Sequence, residues 1–272
     1  MKNKSNCNFC GSKSFKNRFE YKSPPVGETK FNLKKQKYKR AYISCNLCGH
    51  WFSQHKINLN YLYSKEYMES TYKDKILKTF EKIISIPKKK SDNFGRISRI
   101  KKFSNKFICK KKNINLLDIG SGLGIFPHSV KKVGWNCTAT DPDERSISHI
   151  KKRIGVKTIH GDFLKIKNLW KYNIITLNKV LEHVIDPITI LNKAKKFLSK
   201  KGFIYVEVPD AEEASKRGKK REEFFIDHFH VFSKMSLIYM CKKADLKTIK
   251  IERINEPSGK FTLFAFISPY LK

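Results

Sequence analysis

Leu116–Phe126 reads LLDIGSGLGIF, and its change of character part-way decides the fold. An apolar run follows the basic Lys110-Lys111-Lys112, and then glycine takes alternate positions, Gly120, Gly122 and Gly124. Pro127 comes next, where its fixed φ suits the first turn of a helix whose apolar positions include Val130 and Val133, and Gly134 supplies the stop. A buried strand, a tight glycine turn and a helix, in that order, open a doubly wound α/β domain. Side chains would block both the turn and the approach of a ligand to bare backbone, which is why glycine is needed. A dinucleotide fingerprint wants glycine at the first, third and sixth positions. The sixth from Gly120 is Ile125, so that fingerprint fails.

The string DxGxGxG, Asp118 to Gly124, resembles the first motif of class I S-adenosylmethionine (SAM)-dependent methyltransferases. The resemblance implies that Asp118 faces the cationic methionine end of SAM and that Gly120, Ser121, Gly122 and Gly124 make room for the cofactor. A carboxylate suits a ligand carrying an ammonium and a sulfonium better than it suits a pyrophosphate. It also implies an α/β, Rossmann-like seven-stranded class I methyltransferase sheet.

Trp135–Thr140 is a second strand ending on Asp141, about 20 residues past the first glycine, where an acid bonds the ribose hydroxyls in nucleotide-binding α/β folds. Asp141-Pro142-Asp143-Glu144 also starts a helix well, and an N-cap role for Asp141 is the plain alternative. Pro142 falls beside the adenine by resemblance. Val156–His160 is a third strand, followed by Gly161-Asp162-Phe163. There the resemblance implies that Asp162 accepts from the adenine amino group and Phe163 packs on the ring. Tyr172–Leu177 is a fourth strand, ending in NKVLEHVIDP. Asn178, Val180, Leu181, Glu182 and His183 resemble the fourth-strand motif of the family that includes ubiquinone-biosynthesis O-methyltransferases and many sugar methyltransferases. Asn178 and Lys179 would then lie near the methionine moiety, and His183 is either a base or a histidine hydrogen-bonded in place.

An amphipathic helix over Ile188–Leu198, an apolar strand over Gly202–Val208 and a charged loop over Glu212–Glu223 lead to FFIDHFHVFS, Phe224–Ser233. This segment resembles the (Tyr/Phe)-x-(Glu/Asp)-His stretch of zinc-containing sugar C-methyltransferases, whose histidine is the proposed general base. Phe225 and Asp227 stand here for the tyrosine and the glutamate. Asp227 is expected to orient the His228 imidazole, with His228 the base. The alternative is a lid helix capped by Ser233 with His230 packed inside. A helix over Met235–Leu246 and a hairpin of Thr248–Ile254 with Lys260–Ile267 complete the seven strands by resemblance.

Two copies of CxxCG, Cys7-Asn8-Phe9-Cys10-Gly11 and Cys45-Asn46-Leu47-Cys48-Gly49, precede all this. Each can set two thiolates on one side of a tight turn, and two such knuckles complete a tetrahedral four-sulfur zinc site at Cys7, Cys10, Cys45 and Cys48, with iron the minority alternative. A small zinc ribbon over residues 1–60 follows, too small to bury a core without its metal. Its zinc is expected to be structural and remote from chemistry. His50 and His55 read as surface or packing residues, and Cys109, Cys137 and Cys241 as thiols without ligand spacing. Tyr61–Ile86 reads as an amphipathic aromatic helix packing the ribbon against the catalytic domain, and Phe94–Phe107 as a second helix, making 61–110 a helical linker before a methyltransferase domain at 111–272.

The chain of 272 residues carries a net charge of +34, which invites a nucleic-acid partner. Only nine of its 58 basic residues are arginine, the better bidentate reader of phosphates, and the lysines are spread from end to end. The first reading is therefore methyl transfer to a small molecule or glycan, nucleotide-linked sugars included. An RNA methyltransferase, or an RNA-binding protein gripping phosphates with its ribbon, is the alternative. No apolar run is long enough to span a membrane, the basic N-terminus lacks a secretory apolar core, and a cytoplasmic protein is expected.

Overall fold

The computed structural model describes residues 6–29, 38–57, 76–108 and 113–270. Three short strands come first: β1 (Phe15–Tyr21), β2 (Arg40–Cys45) and β3 (Trp51–His55). Two helices follow, α1 (Ile76–Ile84) and α2 (Asp92–Phe107). The glycine turn joins β4 (Asn115–Ile119) to α3 (Ile125–Lys132), and the chain then alternates through β5 (Asn136–Asp141), α4 (Glu144–His149), β6 (Lys157–His160), β7 (Tyr172–Asn178), α5 (Pro187–Lys196) and β8 (Leu198–Pro209). It closes with α6 (Ala211–Lys216), the two-residue β9 (His230–Val231), α7 (Lys234–Lys243) and the hairpin β10 (Leu246–Asn255) and β11 (Phe261–Pro269).

The large sheet has seven strands in the order β10-β11-β8-β7-β4-β5-β6. β4 to β8 pair in parallel, and β11 runs against both its neighbours. Chain order reverses at β4, which opens a crevice outside the carboxyl ends of β4 and β7. The two-residue period of the strands divides the core. Leu116, Ile174, Phe203 and Tyr205 pack with Ile97, Ile100 and Val130 of α2 and α3 on one face. Leu117, Ile175, Ile204 and Val206 pack with Leu191, Ala194, Leu237 and Met240 of α5 and α7 on the other. Phe103 of α2 stacks on Phe266 at 3.8 Å between ring centres.

The cysteine knuckles join this second core. Cys7, Phe9, Cys45, Cys48 and Phe52 belong to the same buried cluster as Leu117 and Val206. The ribbon is a four-stranded sheet, β1-β2-β3-β9, whose fourth strand is His230–Val231 from the far end of the chain. Of the expected aromatic helix, residues 61–75 lie outside the described residues, as does Cys109. α1 is the described remainder, and its Phe80 packs on His128 and His149 of the α/β unit.

Gly124 sets the limit on how closely this unit packs. Its φ is +75°, and a Cβ there would lie 2.5 Å from Ile154 Cδ1 and 2.7 Å from Ile150 Cγ1. Gly122 also has a positive φ, +49°, but a Cβ would meet nothing within 4 Å. Gly124→Ala is expected to lower stability by about 2–3 kcal/mol from strain and overpacking together, and Gly122→Ala by about 1 kcal/mol from strain alone. Urea denaturation of the two variants checks this; equal losses would contradict the packing account.

Candidate active site

Two buried carboxylates hold the glycine turn in the crevice. Asp118, at the end of β4, accepts from Thr176 Oγ1 at 2.6 Å and Asn178 Nδ2 at 2.9 Å, both on β7. Asp141, at the end of β5, accepts from the Gly122 N–H at 2.8 Å and the Asp143 N–H at 2.9 Å. The turn is tied to β5 again through the Gly120 and Ser121 N–H groups, which donate to Thr140 O at 2.9 and 3.0 Å. Burial pushes the carboxyls of Asp118 and Asp141 up to about 6 each, against the hydrogen bonds that favour their charged forms. Asn178 Oδ1, next to Asp118, is buried with no hydrogen-bond partner. A donor-rich cation fits this place: two carboxylates and an orphaned amide oxygen are acceptors awaiting it.

The N-cap of α4 is Asp143, whose side chain accepts from the Arg145 and Ser146 N–H groups, so Asp141 is not the cap. Asp162 is exposed at the end of β6 and accepts from the Leu164 N–H at 2.9 Å. Phe163 is packed in the core against Phe197, and the exposed apolar side chain of that turn is Leu164. The Pro142 carbonyl pairs with His160 Nε2. Lys179, with a left-handed φ of 58°, turns its side chain to Thr262 on β11 and not into the crevice, and burial lowers its pKa. A Cβ on Gly120 would come within 2.7 Å of Val180 Cγ2, so the NKV segment closes directly on the first glycine.

The histidines form the other wall. His183 lies in the turn between β7 and α5, and the rings of His183 and His228 meet edge to face at 4.7 Å. The expected Asp227–His228 pairing is not what orients His228. Its Nδ1 lies 2.9 Å from the main-chain oxygen of Glu223, while Asp227 faces His183, with its main-chain oxygen 3.0 Å and its carboxylate 3.7 Å from His183 Nδ1. Asp227 sits in a turn closed by the His228 N–H on Phe225 O at 3.1 Å, and its carboxylate goes to the neighbouring imidazole. An Nδ1–H donated to Glu223 assigns the lone pair of His228 to Nε2. Burial lowers the His228 pKa, with Asp227 opposing it. Glu182 is the residue the sequence left without a role. Its carbonyl accepts from the Phe229 and His230 N–H groups at 2.8 and 3.3 Å, and its buried Oε2 has no hydrogen-bond partner. Glu182, His183 and His228 bring their donor atoms within 4.8 Å of one another, close enough to share a proton or a cation.

The four cysteines bring their sulfurs within 4.8 Å, with Cys7 and Cys48 3.6 Å apart and Cys10 and Cys45 3.5 Å apart. Sulfurs at about 2.3 Å from a central zinc, at tetrahedral angles, stand a little under 4 Å apart, so the thiolates fit that ion and leave no position open for substrate. The ribbon is nonetheless not remote from the histidines. β3 pairs with β9 two residues beyond His228, and His50, expected at the surface or in packing, is fully buried with Nε2 3.0 Å from His230 Nδ1. His230 is packed inside and Ser233 caps α7.

A methyltransferase domain family matches residues 65–251. The chain belongs to this family. This methyltransferase domain is 28% identical over 125 residues to a ubiquinone biosynthesis O-methyltransferase of Hydrogenovibrio crunogenus, covering 42% of this chain and 52% of that protein. It is 30% identical over 102 residues to the enzyme of the same name from Pelagibacter ubique, covering 35% and 42%. The chain thus spans about half or less of the length of these relatives. Among solved structures, a SAM-dependent methyltransferase from Methanosarcina mazei superposes with a TM-score of 0.50 at 13% identity, over 62% of this chain and 98% of that one. The glycopeptide N-methyltransferase MtfA complexed with SAM superposes with a TM-score of 0.51 at 10% identity, over 63% and 93%. At these identities the likeness shows the fold.

Cys45→Ser is expected to lower bound zinc and the melting temperature together, because loss of one ligand removes binding energy that is also folding energy. Metal analysis and calorimetry on the purified variant check this. Intact zinc in a folded but inactive variant would instead make the metal catalytic.

Proposed function

We propose that the chain is a SAM-dependent methyltransferase acting on a hydroxyl or an acidic carbon of a small molecule or glycan, nucleotide-linked sugars among the candidate acceptors. The observation that carries this reading is the pair of buried carboxylates, Asp118 and Asp141, hydrogen-bonded around one glycine turn at the switch point of the sheet. SAM, when bound, supplies an electrophilic methyl on a sulfonium. Asp118 and Asn178 would hold its ammonium end, Asp141 its ribose hydroxyls, and Asp162 its adenine amino group.

His228 is the proposed base. His228 Nε2 would take the proton of the acceptor hydroxyl or acidic carbon, leaving that atom a lone pair for the methyl that bound SAM would supply. The Glu223 carbonyl holds the tautomer that leaves this nitrogen able to accept, and Asp227 and Glu182 stabilise the imidazolium that forms. His183, oriented by Asp227, forms the adjoining wall.

General-base help is worth about 10²–10⁴ in rate, so His228→Ala should keep SAM affinity while losing turnover by about that factor. The pH profile follows from the direction of the shift. A lowered pKa leaves His228 neutral at neutral pH, so turnover should fall only below the ordinary histidine value of about 6.5. Methyl transfer from labelled SAM into a panel of hydroxylated acceptors measures both. An acid limb centred above that value, or a variant within a few-fold of the parent, would remove His228 from the role and leave His183 the next candidate.

A further inference from the structure

The segment carrying Asp227 and His228 has almost no secondary structure of its own, yet its main chain is held at nearly every step, largely by the ribbon. Glu28 Oε2 accepts from the Ile226 N–H at 2.7 Å while paired with the buried Arg40 at 2.8 Å. The Ser53 N–H donates to Phe229 O at 3.0 Å, and Phe52 pairs with His230 across β3 and β9. The side chain of Tyr42, in the middle of β2, reaches the carbonyl of His228 itself. Its hydroxyl lies 2.6 Å from His228 O and 3.0 Å from Phe225 O, so one proton serves two carbonyls that flank Ile226 and Asp227.

Tyr42 is fully buried, with its ring edge-on to Phe224. Burial raises its phenol pKa well above the ordinary value, so it stays a donor at every working pH. From the opposite side, the Glu182 carbonyl takes the N–H groups of Phe229 and His230, and the Glu223 carbonyl takes His228 Nδ1. The His228 peptide is therefore clamped between the ribbon and the turn after β7. Without the Tyr42 proton, the His228 carbonyl would have to find another donor in a closed interior, and the peptide would rotate to do so.

We propose that Tyr42 is a positioning residue for the acceptor site, through which the zinc ribbon fixes the orientation and tautomer of His228. This rests on the assignment of His228 as base, and it gives the ribbon a part in catalysis without placing the metal near the reaction. The ribbon acts as a jig: its knuckles hold β2 and β3, β2 presents the Tyr42 hydroxyl, and the hydroxyl sets the peptide from which the imidazole springs. A small angular error at such a peptide moves Nε2 by a fraction of an ångström or more, enough to lose near-attack geometry.

Tyr42→Phe removes one oxygen and keeps the ring packing, and Tyr42→Met is the second variant should the first disturb the fold. The readout is the imidazole tautomer, measured by long-range ¹⁵N–¹H spectra of zinc-loaded, histidine-labelled protein at about pH 8, where free imidazole is neutral. In the parent, His228 should show a protonated Nδ1 and a bare Nε2. In both variants its nitrogen signals should move toward the averaged positions of exchanging tautomers, while zinc content and the His50 and His230 signals stay as in the parent. Unchanged His228 signals in a folded variant would overturn the proposal and leave the base assignment standing. Undiminished turnover in His228→Ala would remove the base assignment, and the proposal with it, even if the Tyr42 variants change the tautomer.

Discussion

The hydrogen bonds of Asp118 to Thr176 and Asn178 are the constraint on which the crevice depends. They lock the end of β4 to the end of β7 at the point where chain order reverses, and Asp141 locks the turn to β5 through the Gly122 N–H. Three strand ends are thereby fixed relative to one bare stretch of backbone. Carboxylates buried in this way pass from charged to neutral at about pH 6 unless a cation faces them. The alternation of Leu116 with Leu117 and of Ile174 with Ile175 drives both faces of the sheet into helices and leaves the strand ends as the open edge.

A second organisation is laid over the first. A ribbon with its own metal site shares a buried core with the α/β unit and borrows β9 from it. That borrowing places the ribbon against the Phe225–His230 main chain, whose own structure is one turn, closed by the His228 N–H on Phe225 O, and the start of β9. Elsewhere at the strand ends, Glu207 accepts from Arg96 at 2.6 Å and Arg99 at 2.7 Å. Burial alone would raise its carboxyl, but the two guanidiniums hold it down at about 2, so this ion pair joins α2 to the end of β8 across the physiological range.

Where a local rule governs, the sequence was legible. Gly120, Gly122 and Gly124 all have positive φ, and the strands of the sheet fall within a few residues of their periodicities, apart from the start of β8. The four-cysteine cluster could be read for the same reason, since CxxCG makes one kind of turn. What stayed illegible depends on main-chain partners. Nothing in the side chains announces that the Glu223 carbonyl orients His228, and adjacency suggested Asp227 instead. β9 is two residues long, too short for any period to show, so the link between ribbon and acceptor wall is hidden in the sequence, where only the zinc's distance from the chemistry is expected. Phe163, assigned to the adenine by resemblance alone, packs in the core against Phe197, a contact no period or spacing announces.

Calorimetric titration of SAM into the protein from about pH 8 to about pH 5, with Gly122→Arg as the comparison, reads out whether these two carboxylates hold the cofactor. The arginine would project into the open space beside the carboxylates, where a Cβ on Gly122 meets nothing within 4 Å. The account predicts micromolar binding by the parent that weakens as the pH falls through about 6, where Asp118 and Asp141 lose their charge, and no binding by the variant. Affinity that stays level across that range, or survives the arginine, would contradict it.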